Sequence, residues 1–391
     1  MAAPESLRIL DLCAEYGRAS FLKGISACLG NTAVPSPVCP DEVPIGFQAE
    51  LRVVAQRCIE AVTNRRSVRW SARTYAASIG TQSGDEPDFE AVLQERYPPL
   101  DGIPPTNEPL SIVDEEDVIL FCMTTTPLWA DEPQAIVAST ISLASAAIAA
   151  HPPKPDNEGK TSRWRHSRYL YAKEADLVFG RGQITLSPGW LAQAQQGYND
   201  TLYVSRDLAA RPDRVDNAAQ ISAQAWLGAN FETGLLLSTA LAIVHPAQYR
   251  ETRQALGYLS TLPDFRRHTD DWTFAFNAVT LICNRLTPLH RDRASGGIEF
   301  YDLLLSIGGG PRAVLSLPGL GICVQYDSGA AALFSGNQHL HEVWGFQEER
   351  ACVACYARPA VIRWLGAKHP PLPSGSNVLP DGRWQTFLNV A

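Results

Sequence analysis

The hydrophobic positions of this chain change period part-way along it. Over Leu51–Val62 apolar residues recur every three to four positions, the spacing of one buried helix face. Two denser apolar stretches follow, Ala135–Ala150 and Leu235–Val244. The first is diluted by Ser and Thr and the second is too short to span a bilayer, so both are expected as buried helices, with Asn230–Val244 ending at Pro246. Asp117–Met123 reads as a buried strand. Residues 80–115, rich in Gly, Pro, Asp and Glu, read as a long loop, and 151–165 as a linker or mobile loop. After about residue 270 the period shortens. WTFAFNAVTLICN, FYDLLLSIG, RAVLSLPG, ICVQYDSG, AALFSG and RACVACYARPAVIRW are short runs of strand composition, most of them bounded by Gly, Pro, Asp or Ser. Several short strands at roughly regular spacing predict a sandwich or jelly roll. Gly308–Gly310 has no lysine near it and predicts a hairpin turn rather than a phosphate loop.

Composition narrows the function classes. At 391 residues, 45% hydrophobic, the chain has ample material for a core and suits two or three domains. The linker candidate at 151–165 suggests a mixed, helical region over 1–165 and a second region over 166–391. The start MAAPESLRILDLC has no basic segment followed by an apolar one, so neither a secretory leader nor a membrane span is expected. A net charge of -8 speaks against a generic polyanion binder but leaves room for a local basic groove, because charge acts over a Debye length. Nine cysteines, an odd number, are expected to be reduced thiols of an intracellular protein. Cys352 and Cys355 form a CxxC in a strand-like run, with no second pair to complete a zinc site.

The chemistry concentrates in the β-rich part. T-P-L-H-R-D places His290 and Asp292 two apart, on one side of a strand. A second pair, His339 and His341, follows about fifty residues later, and by spacing either completes a set of two imidazoles and one carboxylate. That is the facial triad of non-haem Fe(II) oxygenases, which leaves coordination positions open for co-substrate and oxygen. Arg350 and Arg358 share the strand after it, and either guanidinium suits the far carboxylate of 2-oxoglutarate. Arg285, five residues before His290, is a charge among apolar neighbours.

The order N-x-x-T-P-x-H-x-D, then LLLSIGGG, LPGLGICVQYDSGAAALFSGNQHLHEV and ERACVACYAR, resembles the fungal TET/JBP-like dioxygenases of mushroom-forming fungi, over about residues 270–365. The rest of the chain carries no comparably specific motif. The resemblance implies an α+β fold whose double-stranded β-helix core, at about 270–365, is buttressed by N-terminal helices. It implies Fe(II) and 2-oxoglutarate as cofactors and 5-methylcytosine in double-stranded DNA as substrate, oxidised to 5-hydroxymethylcytosine and then to the formyl and carboxyl forms. His290 and Asp292 fall on the family's HxD. The distal segment, Gly, four residues, then His-x-Val, runs from Gly336 to His341 and Val343, so His341 is the implied third ligand and His339 its rival. Arg350 is the implied clamp for the far carboxylate, with Arg358 as rival and Arg285 as a further co-substrate contact.

A methyl carbon within a duplex is out of reach of an enclosed metal, so the base is expected to flip out and stack on a ring. Trp164, Tyr169, Trp226, Phe231 and Trp272 are unranked candidates. Phosphates need cations. The best local patches are Lys160, Arg163, Arg165 and Arg168, and the cluster Arg65–Arg73, with Arg291 and Arg293 beside the metal ligands. A DNA substrate implies a nuclear protein, and no protein partner is implied. Two alternatives remain: the same chemistry on N6-methyladenine or another alkylated nucleic-acid base, and a non-catalytic jelly-roll binding module.

Overall fold

The computed structural model describes residues 4–30, 35–80, 87–101, 106–124, 137–155, 161–174, 176–191, 201–209, 217–292 and 295–378. The chain is α+β, with helices packed on one face of a large sheet. The helix Glu5–Cys28 buries Leu7, Leu10, Ala14, Gly17, Phe21 and Ile25, a stripe of helical period. It lies against the helix Ile45–Thr63 and the helix Phe231–Val244, whose residues from Thr233 onward are all buried. A helix apolar all round belongs in a core. Gly17 and Gly24 make these approaches possible, because a Cβ at either would fall 2.2 Å from Thr239 Cγ2 or 2.3 Å from Ile59 Cδ1. Among the described residues no single helix is long and apolar enough to cross a membrane.

The strands are β1 (Arg65–Ser67), β2 (Leu110–Val113), β3 (Ile119–Thr124), β4 (Gly182–Leu186), β5 (Trp190–Leu191), β6 (Leu202–Tyr203), β7 (Ala278–Cys283), β8 (Thr287–His290), β9 (Asp302–Gly308), β10 (Val314–Leu317), β11 (Ile322–Gln325), β12 (Ala331–Phe334), β13 (His341–Trp344) and β14 (Arg350–Tyr356). Eight of them form one sheet in the order β1-β2-β3-β12-β9-β14-β7-β4, and four a second in the order β11-β10-β13-β8. From β7 to β14 the chain passes back and forth between the two sheets. Alternation along the strands decides what each face does. Leu303, Leu305, Ile307, Ala351, Val353 and Cys355 point to the helices and join their core. Leu304, Ala332 and Phe334 point the other way and pack on Leu315, Leu317, Val324 and Val343 of the small sheet. Asp302, Ser306, Arg350 and Cys352 share that inward parity, so the space between the sheets is lined in part by polar groups.

The structure departs from the sequence expectations at several points. Residues 80–115 hold the helix Pro87–Arg96 and strand β2, which extends the large sheet from the N-terminal side. The described part of Ala135–Ala150 tightens to a 3₁₀ turn over Ile141–Ala144 before the short helix Ser145–Ala149. Pro246 does stop one helix, but it also opens the next, Pro246–Leu259, where its missing N–H costs nothing. The run RACVACYARPAVIRW is strand only to Tyr356 and helical over Pro359–Trp364. Gly308, Gly309 and Gly310 all have positive φ, but they carry the chain from β9 in the large sheet to β10 in the small one, so the turn is not a hairpin.

Candidate metal centre

The corner from β7 to β8 sets the site. Asn284 turns the chain there with φ of 53°. Its side chain holds the corner by donating to Gly180 C=O at 2.8 Å and accepting from Arg350 N–H at 2.8 Å. Strand β8 then pairs with β13, placing His290 opposite His341. Each imidazole donates Nδ1–H to the carbonyl two residues before it, His290 to Pro288 at 2.8 Å and His341 to His339 at 2.9 Å. With Nδ1 committed to a carbonyl, Nε2 is the ring nitrogen that faces the cluster and would ligate a metal. Burial, then the charge of His290, pulls the His341 pKa down to about 4, so its ring is neutral near pH 7.

Asp292 lies just beyond the end of β8 rather than on it, tied by its N–H to Gly336 C=O at 2.8 Å. Its Oδ1 is 3.5 Å from His290 Nε2 and its Oδ2 is 3.7 Å from His341 Nε2. Ligand atoms of the three residues all lie within 4.8 Å of one another, and two of the residues are buried. Burial opposes ionisation of Asp292, but the hydrogen bond and charge of His290, with His341 and Arg165, hold its carboxyl well below the usual range. A Cβ at Gly336 would lie 2.5 Å from Asp302 Oδ2 and 3.5 Å from both Asp292 Oδ2 and His341 Cε1, so only glycine fits there. Asp302 itself escaped the sequence reading. Burial first, then the charge of Asp292, pushes its carboxyl well above the usual range, and its Oδ1 has no hydrogen-bond partner. An acid at inward parity opening the strand after His-x-Asp was its only signal.

His339 is not in this cluster. It stacks on Tyr75, with ring centroids 5.7 Å apart, and burial pulls its pKa down to about 3. Of the three arginines, Arg285 lies within electrostatic reach of Asp292. Arg350 is 3% exposed, lies over the Tyr326 ring, and has no hydrogen-bond partner for Nε or Nη2. Arg285 donates Nη1 to Gln183 Oε1 and to Arg165 C=O, while its buried Nε finds no partner. The Cys352 thiol lies within electrostatic reach of both guanidiniums. Arg358, beyond the far end of β14, stacks over Trp190 at 3.8 Å.

The arginines named as DNA contacts are placed unevenly. Lys160 and Arg293 lie outside the described residues, and of Arg163 only the backbone is described. Arg168 is exposed. Arg165 turns inward: its Nη2 donates to Asp292 Oδ1 at 2.5 Å. Arg291 is buried, donating to Glu90 at 2.5 Å and to Gln338 C=O at 2.9 Å, so it serves the fold and not a strand of DNA. In the basic cluster Arg65 pairs with Asp117 at 3.2 Å. Of the ring candidates, Trp226 and Trp272 are core residues at 1% and 0% exposure, and Phe231 packs against the same core. Tyr169 is exposed, and Trp164 stands edge-on to His290 with centroids 4.7 Å apart.

No protein-family model and no curated protein matches the chain. Among solved structures, NgTET1 in complex with 5mC DNA is similar at 12% identity, over 81% of this chain and 92% of that one, with a TM-score of 0.44. The likeness is confined to the fold and speaks for neither substrate nor activity.

Proposed function

We propose that the chain is an Fe(II)- and 2-oxoglutarate-dependent dioxygenase of methylated bases in DNA, with 5-methylcytosine as its first substrate, built on a double-stranded β-helix. The observation that carries the reading is a cluster of two imidazoles and one carboxylate in a fold that also holds a buried arginine edge, Nε and Nη2 of Arg350, with no hydrogen-bond partner among the described residues. His290, Asp292 and His341 have the composition of a facial triad, and both imidazoles present Nε2. The passage of β7 to β14 between two sheets supports the β-helix.

The residues fit the two cofactors. His290, Asp292 and His341 would hold the metal. Arg350, whose Nε and Nη2 form one side of a planar fork, would take the far carboxylate of 2-oxoglutarate through two parallel bonds. Arg285 Nε is a further buried donor for the same acid. When bound, Fe(II) with 2-oxoglutarate and dioxygen would supply the oxidising chemistry: one oxygen atom of O2 would enter the base methyl as hydroxymethyl and the other would enter succinate, with carbon dioxide released. The chain's own part is to orient and to exclude water. Tyr326 walls Arg350, and the paired sheets keep the donors in a low-dielectric space where each charge-assisted bond is stronger. The DNA substrate rests on the motif resemblance over residues 270–365, and with it a nuclear location.

The test is mass spectrometry of nucleosides from duplexes carrying 5-methylcytosine or N6-methyladenine, after incubation with Fe(II), 2-oxoglutarate and oxygen. Hydroxymethylcytosine formed only with all three supports the reading. Product from N6-methyladenine alone would keep the chemistry and change the substrate. No product, with no charge-transfer absorbance on anaerobic titration of Fe(II) and 2-oxoglutarate, would leave a binding module.

A further inference from the structure

The short segment Thr161–His166 lies where the sequence suggested a linker, yet its described side chains reach the candidate metal centre. Arg165 Nη2 donates to Asp292 Oδ1 at 2.5 Å, across 127 residues of sequence. The contact is made by a single guanidinium nitrogen. It takes the oxygen nearer His290 and leaves Oδ2, the oxygen 3.7 Å from His341 Nε2. The backbone beneath it is fixed from two sides. Arg165 C=O accepts from Tyr171 O–H at 2.9 Å and from Arg285 Nη1 at 3.2 Å. Trp164 C=O accepts Ser167 N–H at 2.9 Å, and across the segment's base Lys154 N–H donates to His166 C=O at 2.7 Å while Lys154 C=O accepts Arg168 N–H at 3.0 Å. The Trp164 ring meets the edge of His290, and the guanidiniums of Arg165 and Arg285 lie over it at 4.6 and 5.0 Å.

We propose that Arg165 is a positioning residue for the metal: it fixes the Asp292 carboxylate in one orientation so that Oδ2 is presented beside the two Nε2 donors. This rests on the metal reading above. A carboxylate on a short side chain at a strand end has freedom to rotate. A bond to one oxygen removes that freedom before the metal arrives, and the loss of such an outer contact typically weakens metal binding by about 10- to 100-fold. Arg285 couples the same segment to the co-substrate side, since it holds the Arg165 carbonyl while its own Nε stays open.

The probe is Co(II), titrated anaerobically into wild type, Arg165→Gln, Arg165→Lys and Asp292→Ala, and followed by visible absorption, with a melting curve for each protein. Arg165→Gln is expected to weaken Co(II) binding by about 10- to 100-fold and to change the cobalt spectrum at an unchanged melting temperature. Arg165→Lys is expected to recover most of the affinity, because one donor suffices for a one-nitrogen contact. If Asp292→Ala binds Co(II) as wild type does, the metal reading itself falls. If Asp292→Ala is impaired while Arg165→Gln binds as well as wild type or better, the positioning role falls and the metal reading stands. A lowered melting temperature in Arg165→Gln that Lys does not restore would likewise overturn the proposal, by making the contact a structural one.

Discussion

A buried guanidinium with two unpartnered nitrogens is a standing cost to the fold, and Arg350 carries it at 3% exposure. Among the described residues the Tyr326 ring beneath it and the neighbouring Cys352 offset that cost in part. Replacing it by a long apolar side chain is therefore expected to leave the melting temperature of the ligand-free protein unchanged or higher. The same Arg350→Met change is expected to raise the 2-oxoglutarate requirement by roughly 10- to 150-fold, since a lost charge-assisted bond is worth about 1.5–3 kcal/mol. Calorimetric titration beside a melting curve reads both, and unchanged affinity would send the role to another donor. At the same scale His341→Ala is expected to abolish Co(II) binding, whereas His339→Ala, which removes a ring stacked on Tyr75, is expected to lower stability and spare the metal. The reverse ranking would move the ligand by two residues. Spacing exposed His290 and Asp292, but parity left both rivalries open, because His339 and His341, like Arg350 and Arg358, lie an even number of positions apart. The structure gives the rivals different partners across the fold, Tyr75 for His339 and Trp190 for Arg358. Arg165 was legible only as a cation, since nothing local in the chain joins it to Asp292.

The helix Pro246–Leu259 begins on a histidine, and this ties an element far in sequence from the metal ligands to pH. His245 Nδ1 accepts Gln248 N–H as the cap, while its Nε2–H donates to Glu299 C=O at 2.9 Å, so the ring is held in its neutral form. Burial draws its pKa from 6.5 down to about 4, against the pull of its backbone hydrogen bonds. The unfolded chain takes up that proton near 6.5 and the folded one only near 4, so between those values the unfolded state binds more protons and stability falls as pH falls. His268, drawn down to about 4 by burial and then by Arg267, adds in the same direction. A tenfold difference in proton affinity between the folded and unfolded chains is worth about 1.4 kcal/mol. His245→Asn keeps a capping side chain without a titrating ring, and its melting temperature is expected to decline less between pH 6.5 and pH 4 than that of wild type. Parallel curves would place the acid sensitivity elsewhere. At this scale the sequence was informative wherever period and length agreed. The helix face of Leu51–Val62 and the strand near Ile119 stand where their patterns put them. Strand β2 was hidden because its four residues sit among Pro, Asp and Glu and owe their state to β3 and β1 on either side.

Over the whole molecule the charge of -8 works against a polyanion, so duplex binding has to rest on a few cations whose acids are distant or already engaged. The fold sorts the arginines that sequence placed together. Arg165 is spent on Asp292, Arg291 on Glu90 and Arg65 on Asp117. Arg168 is exposed, pairs with no acid among the described residues, and stands beside exposed Lys154, whose carbonyl its N–H reaches at 3.0 Å. These two flank the segment that covers the candidate metal centre, so a phosphate there would keep a flipped base close to the site. Each phosphate contact removed is expected to lower the slope of log affinity against log salt by about 0.9 on duplex DNA. Arg168→Gln should therefore flatten the salt dependence by about that amount and weaken binding to methylated and unmethylated duplexes alike. Arg165→Gln, whose guanidinium faces a carboxylate, should leave the slope where it was. Fluorescence anisotropy of a labelled duplex across a salt series separates the two variants. A flattened slope in Arg165→Gln with none in Arg168→Gln would mean that the segment swings outward on DNA and that the contact with Asp292 is broken when the nucleic acid binds.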